Sequence, residues 1–365
     1  MFGTRYVTAP IVWPVVTATT AHMPVSVREA WRGEAPVAPR LYFREEFPPL
    51  RGRLPPDGEA PELRLERFEG VTLGPNQLIF RESPRELLDV SFNRLGEWRH
   101  PRTERVPGGV YPKLPSLYDT GRSVEGPLYL ADTPFPKIHG HLLVEVLPKL
   151  WAYGDVAGMT VATSVPASRT RKVLMDALGV DDDAILTLTE SIRPGEVYLP
   201  TPPVMLMDYV HPAAQDVFAR LARLAERSDA GRPERLYVSR SKVGRRPLAN
   251  ETEVEAVFES LGFTIYHPQD HPIEDQIRTF SDARLVAGSG GSALHNAVFS
   301  TKLERLLILS SPDWFTAIDL MLHPEPGKVA LLFGMTTEPE ADAWDRSWRI
   351  DLHQLRLTLA FFMDV

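Results

Sequence analysis

The sequence predicts an α/β fold made of two Rossmann-like halves behind an irregular, Pro-rich leading segment. Three observations carry this expectation. From Gly126 onward, strand-like and helix-like text alternates; a second alternating series starts at Arg235; and residues 25–125 break that regularity and hold many of the 34 prolines. Strands alternating with helices imply parallel sheets covered on both faces.

The chain starts with "MFGTRYVTAPIVWPVVTATTAH", whose apolar run after Arg5 imitates a secretion signal. Pro10 and Pro14 interrupt it, and it is too short to span a bilayer, so it reads as an extended leading segment packed on the body. The stretch "APVAPRLYFREEFPPLRGRLPPDGEAPEL" reads as turns, extended pieces and edge strands, with "GVTLGPNQLIF" as a strand candidate. Then "PLYLAD", "MTVATSV", "ILTLTE" and "EVYLP" read as strands, "HLLVEVLPKLWAY" and "SRTRKVLMDALGV" as helices, and "PAAQDVFARLARLAER" as an amphipathic helix. In the second series, "RLYVSR", "FTIYHP", "RLVAGSGG", "RLLILSS" and "KVALLFG" are strands. "ETEVEAVFESLG", "IEDQIRTFSDA", "SALHNAVFS" and "WFTAIDLMLH" are helices, and a last helix runs from about Trp344 to Phe362. The expected boundaries are 1–205, 206–343 and a closing helix at 344–365 that packs back on the N-terminal half.

Composition narrows the function. The 365 residues are 43% hydrophobic and 24% charged with a formal net charge of −8, a globular balance that argues against a general nucleic-acid binder. Cysteine is absent, which removes disulfides, thiolate zinc sites and a Cys nucleophile, and which suits a reducing cytoplasm. Yet Arg232, Arg235, Arg240, Lys242, Arg245 and Arg246 crowd one stretch between the strand "RLYVS" and a helix start at Asn250-x-x-Glu253. Loops at the carboxyl ends of parallel strands face ligands, so this basic loop is placed to hold an anion.

A second loop shares that edge. "LVAGSGGSALHN" runs from strand to helix through Gly288, Ser289, Gly290, Gly291 and Ser292, where glycines let a backbone approach a ligand and Ser292 is placed to cap the helix. A helix N-terminus there would favour a diphosphate; a turn of this kind equally serves close packing. The spacing is neither G-x-G-x-x-G, nor a P-loop, nor a G-x-S-x-G elbow. In "KIHGHLLVEVLPKLW", His141 and Glu145 fall on one helix face and could act as base and orienting group, although a buried structural pair has the same pattern. His139 and His141 lack a third metal ligand at sensible spacing. Asp181–Asp183 reads as a solvated turn rather than a metal site.

Together these residues resemble glycosyltransferase family 61, a group of bacterial capsular-polysaccharide-type enzymes, plant xylosyl- and arabinosyltransferases and animal O-linked GlcNAc transferases. The family run His-Trp-Leu-Leu-Glu-x-Leu-Pro-Arg-Leu is similar to His141 through Leu150 here, and Tyr-Ile-Ser-Arg-x-x-x-x-x-Arg to Tyr237 through Arg245 and Arg246. Asn250-Glu251 matches an Asn-Glu pair, "PIEDQ" ending at Gln276 matches a "SFEEQ"-like segment, and Gly288 through Asn296 matches Gly-Pro-His-Gly-Ala-Gly-Leu-x-Asn. The resemblance covers residues 126–311. Two departures stand out: the loop histidine is Gly290 here, and the strand "LLILSS" lacks the family's glutamate.

The resemblance implies a GT-B arrangement, two Rossmann-like domains facing a cleft, with acceptor on 1–205 and nucleotide-sugar on 206–343. It implies inverting, metal-independent transfer from a nucleotide-diphosphate sugar, taken as a UDP-sugar, to a hydroxyl of a glycan, lipid-linked glycan or protein, as in capsule or polysaccharide biosynthesis. No further cofactor and no nucleic acid are expected; the setting would be cytoplasmic, with peripheral contact at the inner membrane face and the oligomeric state left open. Without a metal, cationic groups must offset charge on the leaving diphosphate; Arg240, Lys242, Arg245 and the Gly288–Ser292 backbone are assigned to it. Gln276 and Asn296 are candidates for nucleotide or sugar contacts, and His141 oriented by Glu145 for the base. The alternatives are a catalytically altered member that binds a nucleotide or glycan, and a nucleotide-sugar epimerase.

Overall fold

A computed structural model describes residues 60–363 apart from 83–84, 94–99, 107–108, 114–120, 228–231, 316, 326–327 and 342–344, together with two short strands, Val15–Val16 and Ser26–Glu29. The leading segment and most of the Pro-rich stretch lie outside the described residues.

Val71 and Leu73, and Leu78 and Phe80, recur with strand spacing and are buried, as are Leu65, Phe68 and Leu87. They build β1 (Arg64–Phe68), β2 (Val71–Gly74), β3 (Leu78–Glu82) and β4 (Arg85–Leu88). The β2–β3 hairpin closes through the three residues Pro75, Asn76 and Gln77, the last two left-handed with φ of 64°. This region is therefore more regular than its proline content suggests, because Pro75 sits in the turn rather than in a strand.

These strands join β5 (Arg122–Leu130), β6 (Thr160–Thr163), β7 (Ile185–Thr187) and β8 (Ile192–Pro200) in a ten-stranded sheet of order β4-β3-β2-β8-β5-β6-β7, with Val15–Val16 beyond β4. β1 pairs with β8 and with Ser26–Glu29. β8, β5, β6 and β7 run parallel to one another, and Val15–Val16 runs parallel to β4. The first half is thus a mixed sheet, not the parallel sheet expected, since its short hairpins force antiparallel neighbours.

The second sheet is parallel throughout, as expected: β9 (Arg235–Val238), β10 (Thr264–Tyr266), β11 (Leu285–Ser289), β12 (Arg305–Ser310) and β13 (Val329–Phe333) in the order β10-β9-β11-β12-β13. β9, β11 and β12 are apolar runs buried on both faces. One continuous apolar core joins the two sheets, from Val161 and Leu174 through Phe218 and Leu221 to Val286 and Leu306.

Two local expectations change. The closing helix is Leu352–Phe362, started by Asp351, whose carboxylate accepts from the His353 and Gln354 amides; Trp348–Arg349 pairs instead with Met335–Thr336. Leu355, Leu359 and Phe362 pack with Tyr237, Phe258 and Leu307 on the second sheet, not on the N-terminal half. Asn250 does not cap the helix Glu251–Ser260 through its side chain. Its amide donates to the Ile350 carbonyl at 2.9 Å and accepts from the Ile350 amide at 3.1 Å, so it is already occupied. Among the described residues no helix is long and apolar enough to cross a membrane.

Two outcomes follow for stability. Asn250→Ala leaves both buried Ile350 backbone groups unpaired and lowers the unfolding free energy by about 1–3 kcal/mol, measured by urea titration. His100 and His323 are buried, and burial pulls each imidazole from its ordinary 6.5 to about 4. Between those values the unfolded chain takes up protons that the folded chain refuses, so stability is complete above about pH 6.5 and is lost as pH falls toward 4. At pH 5 this amounts to on the order of 2 kcal/mol per histidine. Urea midpoints at pH 7 and 5 check it, and His100→Gln reduces the difference.

Candidate active site

The segment 139–156 turns irregularly: one α turn at His139–His141, a wider turn at Leu142–Val146, then a tighter one at Leu147–Val156. Pro148 lacks an amide proton and cannot continue α-type bonding, and wide π turns of this kind concentrate at functional sites. His141 and Glu145 nevertheless meet, Nδ1 to Oε2 at 2.7 Å. The His141 ring lies 4.7 Å from that of Phe135, keeps about a fifth of its surface exposed (21%), and has no partner at Nε2 among the described residues.

Glu145 is buried, which opposes ionisation, but the hydrogen bond and charge of His141 and the Thr133 hydroxyl outweigh this and hold its carboxyl below the ordinary range. Asn93 donates to its other oxygen at 2.8 Å. Beneath it, Lys149 is buried and donates to Gln77 Oε1 (2.6 Å) and the Asp132 carbonyl (2.5 Å). Burial pulls the Lys149 ammonium down to about 8, against the raising influence of Glu145 and Asp132. The pair therefore sits in a satisfied polar network with a cation nearby.

The glycine turn and the basic loop meet where expected, at adjacent strand ends: Val238 of β9 pairs with Gly288 of β11. Their glycines serve different ends. A Cβ on Gly288 would fall 2.7 Å from the Val238 carbonyl oxygen, so this glycine permits close strand approach. Gly291, at φ +148°, lies against Arg240, whose Nη1 would be 3.0 Å from an added Cβ. Ser292 caps nothing: the chain continues into a six-residue 3-10 turn, Leu294–Phe299, with no side-chain cap. The helix N-terminus anticipated for a diphosphate is therefore not formed.

Arg240 and Arg246 line a shallow recess together with Ser289, Gly290, Ser310 and Trp314. Arg246 lies 4.4 Å over the Trp314 ring. Burial, then Arg240 and Arg245, pull its guanidinium down to about 10; burial likewise lowers Arg240. Lys242 points elsewhere and pairs with Asp270. Arg245 is exposed, and its carbonyl accepts from Arg240 at 3.1 Å.

Across the turn, Gly140 packs so closely that a Cβ there would meet Ser292 Oγ at 2.7 Å and His295 Cδ2 at 2.9 Å. His139 Nε2 donates to Asn296 Oδ1 at 3.0 Å, Asn296 Nδ2 donates to Gln276 Oε1 at 2.7 Å, and Gln276 Nε2 donates to the Pro268 and His271 carbonyls. Gln276 and Asn296 thus tie the histidine segment to the second sheet. Asp181–Asp183 forms an exposed turn, with Asp182 near Arg171, and no group of metal-binding side chains occurs among the described residues.

The sequence reading overlooked Arg246 as a lining residue, although it adjoins Arg245 in the basic run. It also passed over Thr133, Asn93 and Lys149 around Glu145, and Trp314 in the recess. Only Lys149 carried a signal: a lysine inside an otherwise apolar helical run.

No curated protein matches the chain. Residues 139–307 match the family model described as Glycosyltransferase 61, a span that holds the His141–Glu145 pair, the basic loop and the glycine turn. Over those residues, just under half of the chain, the sequence is similar to glycosyltransferase family 61.

Proposed function

We propose that this protein transfers a sugar, with inversion and without a metal, from a nucleotide-diphosphate sugar to an acceptor hydroxyl. The observation that carries the reading is the convergence of Arg240 and Arg246 with the Ser289–Gly291 backbone at one sheet edge, while Gly140, next to His141 of the His141–Glu145 pair, packs on Ser292 of the same turn. Two half-buried guanidiniums in a polar recess suit a diphosphate, whose growing negative charge they offset as it leaves. His141 Nε2, with Nδ1 fixed by Glu145, suits a base that takes the acceptor proton. In this reading residues 1–205 and 206–343 act as two Rossmann-like domains of a GT-B enzyme, the second holding the donor. Lys242 and Arg245 stand on the basic loop outside the recess lining, available to a longer donor.

His141→Ala lowers turnover by ~10²–10⁴-fold, the usual contribution of a positioned base, while nucleotide affinity stays nearly unchanged. Arg240→Ala weakens binding of UDP or a UDP-sugar by roughly 10–100-fold, the loss of a charge-assisted contact. Kinetics and calorimetry on both variants, with circular dichroism for folding, check the pair. Activity survives EDTA; loss on chelation with recovery in Mn²⁺ would overturn metal independence. Binding of nucleotide by the wild type without donor turnover would mark a binding protein instead.

A further inference from the structure

Among the described residues, the lining of the Arg240–Arg246 recess includes no carboxylate. A buried one is nevertheless bonded to Arg240. Glu251 opens the helix Glu251–Ser260 and keeps 5% of its surface exposed. Its Oε1 accepts from the Tyr237 hydroxyl at 2.7 Å and from the Arg240 backbone amide at 3.2 Å. Oε2 is buried and has no hydrogen-bond partner among the described residues. Glu251 is therefore fixed to the strand end from which Arg240 departs, without itself lining the recess.

A buried oxygen without a hydrogen bond calls for an explanation, and charge supplies it. The groups that face this carboxyl are Tyr237 from β9, Arg240 from the basic loop and Glu255 from the same helix. Burial raises the carboxyl; the Tyr237 hydroxyl and the Arg240 amide pull it back, Glu255 adds to the rise, and the Arg240 charge opposes it. A proton on Oε2 would be a buried donor with no acceptor, and the first turn of a helix favours negative charge, so the geometry suits the carboxylate. On the other side of the contact, burial lowers the Arg240 guanidinium and the Glu251 charge acts against that fall. Arg240 and Arg245 in turn add to the lowering of Arg246 that burial begins. The cations of this loop repel one another, and Glu251 offsets that repulsion from inside the protein.

Resting on the reading that the recess takes a diphosphate, we propose that Glu251 is a positioning residue that acts through Arg240, the resident counter-charge of the empty recess, and that it limits the hold on the diphosphate product. No bond forms or breaks at Glu251. With the recess empty, its carboxylate compensates Arg240. With a diphosphate in place, Arg240 has two anionic partners that repel each other. That repulsion grows once transfer has added negative charge to the leaving group, and it favours departure of the product. A unit charge within a Debye length, at the effective dielectric of a protein surface, alters anion affinity by roughly 3–30-fold.

The test is calorimetry of the full chain with UDP and with inorganic diphosphate at pH 8. Glu251→Gln keeps an oxygen for both donors and removes the charge. It binds both probes ~3–30-fold more tightly than wild type, and it lowers the urea midpoint of the ligand-free protein, a loss that saturating UDP reduces. The tightening shrinks as pH falls and the wild-type carboxyl takes up its own proton. Glu253→Gln, on an exposed residue of the same helix, removes the same charge and shifts affinity less than about twofold, since solvent screens it. A role confined to shape has the opposite sign, weaker binding at every pH. Unchanged or weaker binding by a folded Glu251→Gln, or equal tightening by Glu253→Gln, overturns the proposal. If Glu251→Gln does not fold, Tyr237→Phe decides. Without the hydroxyl Glu251 takes its proton at higher pH, so this variant binds diphosphate more tightly than wild type at pH 6 and equally at pH 8; equal or weaker binding at pH 6 overturns the proposal. Wild type that binds neither probe overturns the diphosphate reading, and this role with it. Wild-type binding beside an untightened Glu251→Gln overturns the role alone.

Discussion

The site depends on a missing side chain. Gly140 lets the backbone between two histidines rest on Ser292 and His295, and that approach brings the His139–His141 segment of the first half to the glycine turn of the second sheet. The His139–Asn296–Gln276 chain then fixes the angle, ending on two backbone carbonyls that belong to the loop before helix Ile273–Ser281. Each amide in it spends its hydrogen bonds on its neighbours, so the chain acts as a brace rather than as an open set of donors. Geometry held in this way resists the small displacements that degrade catalysis most.

The acidic net charge and the basic loop are reconciled by location. Among the described residues most carboxylates are not buried, whereas Arg240 and Arg246 are half-buried at the sheet edge and line one recess. Holding two guanidiniums together costs free energy. Arg246 also adopts a left-handed backbone at φ 51°, uncommon for a side chain of its size. The Trp314 face and the hydrogen bond from the Trp348 indole to the Arg246 carbonyl keep it there. Surrounding contacts thus retain a backbone conformation that would otherwise be disfavoured.

The second sheet was almost wholly legible in the sequence, because buried parallel strands read as apolar runs and their flanking helices as periodic ones. The adjacency of Arg240 and the glycine turn followed from that reading alone. The first half was not so legible: Pro75 and Gly74 mask a hairpin whose register only the sheet reveals. Around the site, the His141–Glu145 pair was visible because it lies within one turn. Asn93 and Trp314 were not, since each comes from a distant part of the chain with no local pattern. Asn250 and Ser292 misled for a related reason: both have the composition of a cap, but Ile350 occupies one and the other precedes a turn too short to need it.

The apolar core that passes from one sheet to the other without a break has a mechanical consequence. Rotation of one half against the other would expose Phe218, Leu221 and their neighbours to water, and a large apolar contact of this kind removes the freedom that domains joined by polar surfaces retain. Rotation of the two described sheets against each other is therefore opposed. Outside that seam the stretch from Ser241 to Pro247 carries no strand or helix and leaves Lys242 and Arg245 exposed. None of those residues belongs to the seam, so a change in their conformation leaves the core between the sheets covered.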